Sequence, residues 1–260
     1  MAKSCYKDGR LRGLYQNAPK RENTAVYDEM GGYFLCLSMI VNGMFVFRYT
    51  NNKYKIYKST HPYKYTDNAQ YNAQLTVFEL NDDENADIVF CGDSITLFGK
   101  WDEFFPGYEV LNRGIGSDTT EGLYHRLYEI EDRHPKKVFI MIGTNDGSRG
   151  IGKGQTIKNM ESIIEELTVE LPETDIYIED ILPGKTADLG EIEEINYGYE
   201  QIAKEQDNVH YISLFHSFLR KDGSFNESLF SADGVHLNGA GYRVWIDELN
   251  EIIKDESVNI

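Results

Sequence analysis

From residue 86 onward, apolar and polar positions follow two repeating patterns. Short apolar runs predict strands over residues 86–91, 108–111, 137–142, 175–181 and 209–212. Apolar positions with helical spacing predict helices over residues 119–130, 156–171, 189–206 and 239–253. Strands that alternate with helices indicate a parallel sheet with helices on both faces. The pattern therefore predicts an α/β fold built on five parallel strands.

The first 85 residues show a different pattern, which predicts an N-terminal extension. Residues 1–30 are polar and of mixed charge, and predict a tail. Residues 31–47 contain no charged side chain, which predicts a membrane anchor helix near the minimum spanning length. The Asn42-Gly43 pair leaves open a hairpin of two apolar strands, or a buried helix, in its place. Residues 48–85 are rich in Tyr, Asn, Lys and Thr, and predict a linker or an arm that wraps the domain.

Charge and cysteine content exclude some functions. The formal net charge is -17, and such a surface repels phosphate backbones, so nucleic acid is not an expected partner. The three cysteines, Cys5, Cys36 and Cys91, are odd in number and lack metal-ligand spacing. Neither a disulfide framework nor a structural zinc site is therefore expected.

Polar side chains follow the predicted strands at the points where the strands end. Residues 92–94 follow the first strand, 112–118 the second and 143–146 the third, while 233–236 precede the last helix. Ligand sites in parallel sheets lie beyond the carboxyl ends of the strands. We therefore expect these four segments to meet at one edge of the sheet.

Three of the polar residues have the chemistry of a nucleophile and its base. Ser94 lies where a strand turns into a helix, and His236 can take its proton because histidine titrates near neutrality. Asp233, three residues before His236, can accept the other ring N–H and fix the tautomer. Taken singly, Ser94 is explained as a helix N-cap and Asp233 as a turn residue. Their joint placement favours a catalytic site.

Acyl transfer also requires donors for the oxyanion. The side-chain amide of Asn145 is one candidate, although Asn145 alone is also explained as a turn residue. The backbone N–H of Ser94 and an N–H from the Gly116-Ser117 pair can supply two more.

Three of the segments, in this order, resemble the blocks of the SGNH hydrolases, also called GDSL esterases. They read DIVFCGDSIT at 87–96, GTND at 143–146 and DGVHLN at 233–238, and the resemblance covers roughly residues 86–255. It implies a flavodoxin-like fold of three layers for residues 86–260. It also implies that Ser94, Asp233 and His236 are catalytic and that Asn145 binds the oxyanion, without a metal or a cofactor.

The second block departs from the family pattern. Residues 112–120 align with it without gaps, and the family's oxyanion glycine then falls on Ser117. Serine has the same backbone N–H, and can replace the glycine if the turn does not require a positive φ. The choice between Gly116 and Ser117 as the donor therefore stays open.

The resemblance implies an ester hydrolase that acts on a small-molecule or carbohydrate acyl ester. We expect a short acyl group, acetyl on a carbohydrate above all. The alternatives are a lysophospholipase or thioesterase, an acyltransferase, and a catalytically silent binding domain of the same fold. If residues 31–47 form an anchor, the hydrolase domain would lie outside the cytoplasm at a membrane; the alternative is a soluble cytoplasmic protein.

Overall fold

Five parallel strands form the centre of the fold in the computed structural model, which describes residues 39, 43–44, 63–80 and 85–254. The strands are β1 Ile88–Gly92, β2 Val110–Gly114, β3 Lys137–Met141, β4 Asp175–Glu179 and β5 Val209–Ile212. Their order is β2-β1-β3-β4-β5, and every neighbouring pair is parallel. This is the flavodoxin-like order, so the predicted fold is confirmed. The second strand begins at Val110, two residues later than predicted.

Both faces of the sheet are buried, which explains the uninterrupted apolar runs. In β1, Val89 and Cys91 pack into one hydrophobic cluster, whereas Ile88 and Phe90 pack into another. Successive side chains of a strand point to opposite faces, so two clusters mean two covered faces. The strands lie between two layers of helices.

Helices cover these two faces of the sheet. The α-helices with described bounds are α1 Ala69–Phe78, α2 Ser94–Leu97, α3 Trp101–Phe104, α4 Thr120–Tyr124, α5 Tyr128–Glu131, α6 Asp146–Arg149, α7 Lys153–Glu170, α8 Leu189–Ala203 and α9 Gly239–Lys254. Helices α4, α5, α7 and α8 contribute to the cluster of Val89, and α3 and α9 to that of Phe90. The single helix predicted over residues 119–130 is wrong. Two helices replace it, because Arg126 and Glu129 donate to carbonyls three residues back and tighten the chain between them.

Part of the N-terminal extension packs on the domain. A 3₁₀ turn at Tyr65–Asp67 and helix α1 were not predicted, because exposed apolar residues of α1, such as Ala73 and Val77, obscure its helical pattern. Tyr71 and Phe78 of α1 are buried against Ile115, in the loop after β2. Residues 63–80 therefore contact the sheet edge where the candidate site lies.

The predicted anchor over residues 31–47 lies almost wholly outside the described residues. Met39, Gly43 and Met44 are described, and they are helical. Among the described residues, no helix combines the length and the apolar character needed to cross a bilayer. The anchor therefore stays a prediction.

Arg126 is a fully buried cation at the carboxyl edge of the sheet. Its guanidinium lies 2.8 Å from the Asp118 carboxylate, which is also fully buried. It donates to the carbonyl oxygens of Gly92 and Arg113, at 3.1 and 2.7 Å. Gly92 ends β1, and Arg113 is the penultimate residue of β2. One side chain thus joins two strand ends to the loop that follows β2.

We expect Arg126→Met to lower the free energy of unfolding by about 3–5 kcal/mol, because it leaves the Asp118 carboxylate buried without its cation. Urea denaturation would measure the change. The matched control is Arg243→Met, since Arg243 is exposed on α9 and its replacement should change stability little. A loss no larger than that of the control would contradict the structural role of Arg126.

Glu179 gives stability a distinctive pH dependence. It is buried at the end of β4 and accepts a 2.5 Å hydrogen bond from the indole N–H of Trp245. Burial raises the pKa of Glu179 from 4.5 to about 8. Between these values the folded protein holds a proton that the unfolded chain has lost, so stability falls as the pH rises through this window.

We therefore expect the urea midpoint to fall between about pH 5 and about pH 8, and to fall less steeply in Glu179→Gln. Glutamine keeps an oxygen for Trp245 but does not titrate. Glu251→Gln, at an exposed position of α9, is the control. Identical slopes in Glu179→Gln and the wild type would show that Glu179 is not the group responsible.

Candidate active site

Ser94 lies at the first residue of α2, directly after β1. Gly92 brings the strand close to β3, since a Cβ there would lie 2.1 Å from the Met141 carbonyl oxygen. Asp93 caps α2 by accepting the Ile95 N–H at 2.9 Å. The structural explanation of Ser94 as the N-cap is therefore wrong, because Asp93 has that position.

Ser94, His236 and Asp233 form one chain of hydrogen bonds. His236 Nε2 lies 2.9 Å from Ser94 Oγ, and His236 Nδ1 lies 2.6 Å from Asp233 Oδ2. Ser94 and His236 are 142 positions apart in the chain and meet at one edge of the sheet. The hydroxyl, imidazole and carboxylate therefore stand in the relation that a serine nucleophile requires.

The loop around Asp233 keeps its carboxylate charged. Asp233 Oδ1 accepts the Ser231 hydroxyl and the backbone N–H groups of Val235 and His236, at 2.7, 2.9 and 3.0 Å. The His236 ring lowers the pKa of Asp233 well below its usual range, and the Ser231 hydroxyl and these N–H groups lower it further. An anionic Asp233 can orient the imidazole and stabilise its protonated form.

The Gly116-Ser117 pair lies in a turn over residues 115–118, here called the oxyanion turn. The N–H of Asp118 closes it by donating to the Ile115 carbonyl at 3.2 Å. Ser117 has a φ of 59°, so the turn does require a positive φ, and serine adopts it all the same. Among the described residues, no protein acceptor takes the N–H of Ser117 or of Ser94. Both are thus available to a ligand.

Asn145 reaches the same edge of the sheet from the end of β3. Its Nδ2 atom lies 2.9 Å from the Asp118 carbonyl oxygen and 3.2 Å from Asp93 Oδ2. Both amide hydrogens therefore have protein acceptors, so an oxyanion would have to share one of them. The longer bond, to Asp93, is the weaker of the two.

Buried carboxylic acids support these loops, and the sequence argument missed them. Burial raises the pKa of Asp93 to about 7, although the Ile95 N–H lowers it. Burial raises the pKa of Asp146 to about 6, against hydrogen bonds from Thr120 and Thr156. In the sequence, each stands beside a candidate site residue, Asp93 before Ser94 and Asp146 after Asn145. The available signal was an aspartate directly after an apolar strand, a position where solvent is excluded.

A cavity of about 450 Å³ adjoins the three residues. Ile95 and Val235 line it, and they are the chain neighbours of Ser94 and His236. The rest of the lining is mixed. It is apolar at Ile151, Ile181, Leu182 and Ile195, and polar at Thr144, Ser148, Thr186 and Asp188. The surface beside the three residues therefore offers both apolar contacts and hydrogen-bonding groups.

Comparisons with known proteins point to one family of hydrolases. The model of the GDSL-like lipase/acylhydrolase family matches residues 90–244. The chain is 28% identical over 182 residues to platelet-activating factor acetylhydrolase IB subunit alpha2 of Homo sapiens. This alignment covers 66% of the present chain and 77% of that protein.

Solved structures share the fold. A GDSL-like lipase from Bacteroides thetaiotaomicron aligns with a TM-score of 0.59 and 20% identity, covering 72% of this chain and 98% of its own. An acetyl-xylooligosaccharide esterase from Geobacillus aligns with a TM-score of 0.55 and 19% identity, covering 66% and 96%. These two show the likeness of fold, and the family match covers more than half of the chain. The protein therefore belongs to the GDSL-like lipase/acylhydrolase family and is an ester hydrolase.

Proposed function

We propose that the protein hydrolyses short acyl esters, acetyl esters of carbohydrates above all, through an acyl-enzyme at Ser94. The observation that carries the proposal is the unbroken chain from Ser94 Oγ to His236 Nε2 and from His236 Nδ1 to Asp233, with bonds of 2.9 and 2.6 Å. It supports Ser94 as nucleophile, His236 as base and Asp233 as the group that orients the base.

In the first half-reaction, Ser94 Oγ attacks the ester carbonyl while its proton moves to His236 Nε2. The carbonyl oxygen becomes the oxyanion of a tetrahedral intermediate. The intermediate collapses as His236 gives the proton to the departing alcohol, which leaves an acyl-serine ester. The anionic Asp233 stabilises the imidazolium in between.

In the second half-reaction, water attacks the acyl-serine and His236 takes a proton from it. Collapse of the second intermediate releases the carboxylic acid and returns the proton to Ser94. The N–H groups of Ser94 and Ser117 support the oxyanion in both steps, since both lack a protein acceptor. The Asn145 amide would join them by sharing a hydrogen that now faces Asp93.

Two observations support an acetyl group and a sugar. A relative that shares 28% identity is named an acetylhydrolase. The cavity beside the triad combines apolar side chains with hydroxyl and carboxylate groups such as Thr144, Thr186 and Asp188, which can bind sugar hydroxyls. A purely apolar channel would favour a long alkyl chain instead.

A second candidate is the acetyl ester of platelet-activating factor. Relatives named for that activity match over 77% of their own length, which favours it specifically. The two candidates share the acyl group and the mechanism. They differ in the alcohol that leaves.

We expect Ser94→Ala to lower kcat for p-nitrophenyl acetate by roughly a thousandfold or more, because the three residues act as a unit. Ser217→Ala is the matched control, since Ser217 is an exposed serine away from the triad and its variant should keep the wild-type rate.

We also expect kcat/KM of the wild type to fall from acetyl to butyryl to octanoyl p-nitrophenyl esters. The kcat/KM for acetylated oligosaccharides should be higher than that for platelet-activating factor. Equal background rates in the wild type and Ser94→Ala would favour a catalytically silent binding domain. A higher kcat/KM for platelet-activating factor than for acetylated oligosaccharides would favour the second candidate.

We expect Asn145→Ala to lower kcat by about a hundredfold with a smaller change in KM, as for loss of one oxyanion donor. Asn208→Ala controls for the loss of an amide-to-carbonyl bond, because Asn208 donates to the Thr174 carbonyl far from Ser94. Steady-state kinetics and urea denaturation would be measured on both variants. An unchanged kcat in Asn145→Ala would remove Asn145 from the oxyanion site.

A further inference from the structure

The oxyanion turn has the geometry of a type II turn. Its 3.2 Å closing bond joins Asp118 N–H to the Ile115 carbonyl, and its third residue, Ser117, has a φ of 59°. Gly116, the second residue, is not among the glycines with positive φ. Positive φ at the third position only is the mark of type II.

The peptide between Gly116 and Ser117 decides where the oxyanion donor points. A trans peptide is planar, and its C=O and N–H point in opposite directions. The direction of the Gly116 carbonyl therefore fixes the direction of the Ser117 N–H. A type I turn has the same ends but this peptide turned over by about 180°, so that the N–H would point away from the site.

Serine at the third position favours the other turn. Type I places that residue at a φ of about −90°, which any L residue adopts, whereas a positive φ is unfavourable for residues other than glycine. The sequence of the turn thus opposes the peptide orientation that the structure shows. Some other contact must hold the peptide in place.

Asn68 makes that contact. Its Nδ2 donates to the Gly116 carbonyl oxygen at 2.8 Å, and the side chain is 7% exposed. Its Oδ1 accepts the Gln70 N–H and so caps α1. Tyr71 ties the same helix to α4 by donating to the Gly122 carbonyl at 2.9 Å. Both ends of the Asn68 amide are therefore fixed by rigid partners.

Gln70 closes the space around the same peptide. A Cβ added to Gly116 would lie 1.8 Å from Gln70 Oε1, so α1 lies directly against the turn. Residues 63–80 precede the segment 90–244 that matches the family model. The contact therefore comes from a part of this chain outside that match.

We propose that Asn68 is a positioning residue that holds the Gly116–Ser117 peptide in the type II orientation and so aims the Ser117 N–H at the oxyanion. The proposal rests on the proposed function, in which that N–H is an oxyanion donor. It assigns a role in the reaction to a residue of the N-terminal extension, and it explains how serine works where the family has glycine.

The test is a double-mutant cycle between Asn68 and Ser117. Asn68→Asp keeps the size and the N-cap oxygen but removes the donor, and should lower kcat by at least about tenfold with KM within about twofold of the wild type. Ser117→Gly alone, which keeps the backbone N–H, is the reference for the double variant. In the double variant, glycine adopts positive φ without strain, so kcat should return to within about threefold of the Ser117→Gly value.

The control for charge is Asn72→Asp. Asn72 lies one turn further along α1, where its amide donates to the Thr66 carbonyl, so the variant adds the same charge without touching the turn. It should keep the wild-type kcat. A normal kcat in Asn68→Asp would overturn the proposal, and so would a double variant as slow as Asn68→Asp.

A second readout needs no hydrolysis, so it separates this proposal from the proposed function. Ser117→Gly should raise the urea midpoint of the wild type, because glycine removes the strain of a positive φ. It should raise the midpoint less in Asn68→Asp, where the peptide has already turned over and relieved the strain. An equal rise of the urea midpoint in the two backgrounds would overturn the positioning role. Absence of activity toward every ester tried would count against the proposed function alone.

Discussion

The buried ion pair between Arg126 and Asp118 is the constraint on which the active site depends. The carbonyls of Gly92 and Arg113, at the ends of two neighbouring strands, both accept from Arg126. Asp118 holds the guanidinium in place, and its own carbonyl accepts from Asn145. The loop of the nucleophile, the oxyanion turn and the Asn145 amide are thereby placed relative to one another. A single buried cation fixes three loops that the sheet alone would leave free.

A buried aspartate follows each of the first four strands, and this regularity has a physical cause. Helical turns begin just beyond the carboxyl edge of the sheet, and their first N–H groups have no partner within the helix, so they need acceptors when buried. Asp93 accepts from Ile95, Asp146 from Thr120, and Asp180 from Leu214 and Phe215. Asp118 accepts from Thr119 as well as from Arg126. The buried aspartates thus satisfy the N–H groups at the starts of the helical turns that follow the strands.

The sequence predicted the sheet and the triad for the same reason, since both follow from burial. Strands covered on two faces are continuous apolar runs, and polar residues directly after them stand out, as Ser94 and Asn145 do. Helix α1 was not predicted because exposed apolar residues such as Val77 obscure the helical spacing of Tyr71 and Phe78. Arg126 was missed because it lies among apolar residues of a predicted helix, where a charge is expected to face solvent. Only coordinates reveal that Asp118 neutralises it.

We propose that Ser117 makes the oxyanion turn dependent on a contact from residues 63–80. A glycine there would need no support, because it adopts positive φ freely. On the role proposed for Asn68, serine makes the orientation of one peptide depend on a donor from α1, and α1 in turn buries Tyr71 and Phe78 against Ile115. On this proposal, a domain without residues 63–80 would lose the donor and expose Ile115 together. The segment before the strands would then belong to the oxyanion site as well as to the fold, and we propose a boundary of the functional domain N-terminal to Asn68.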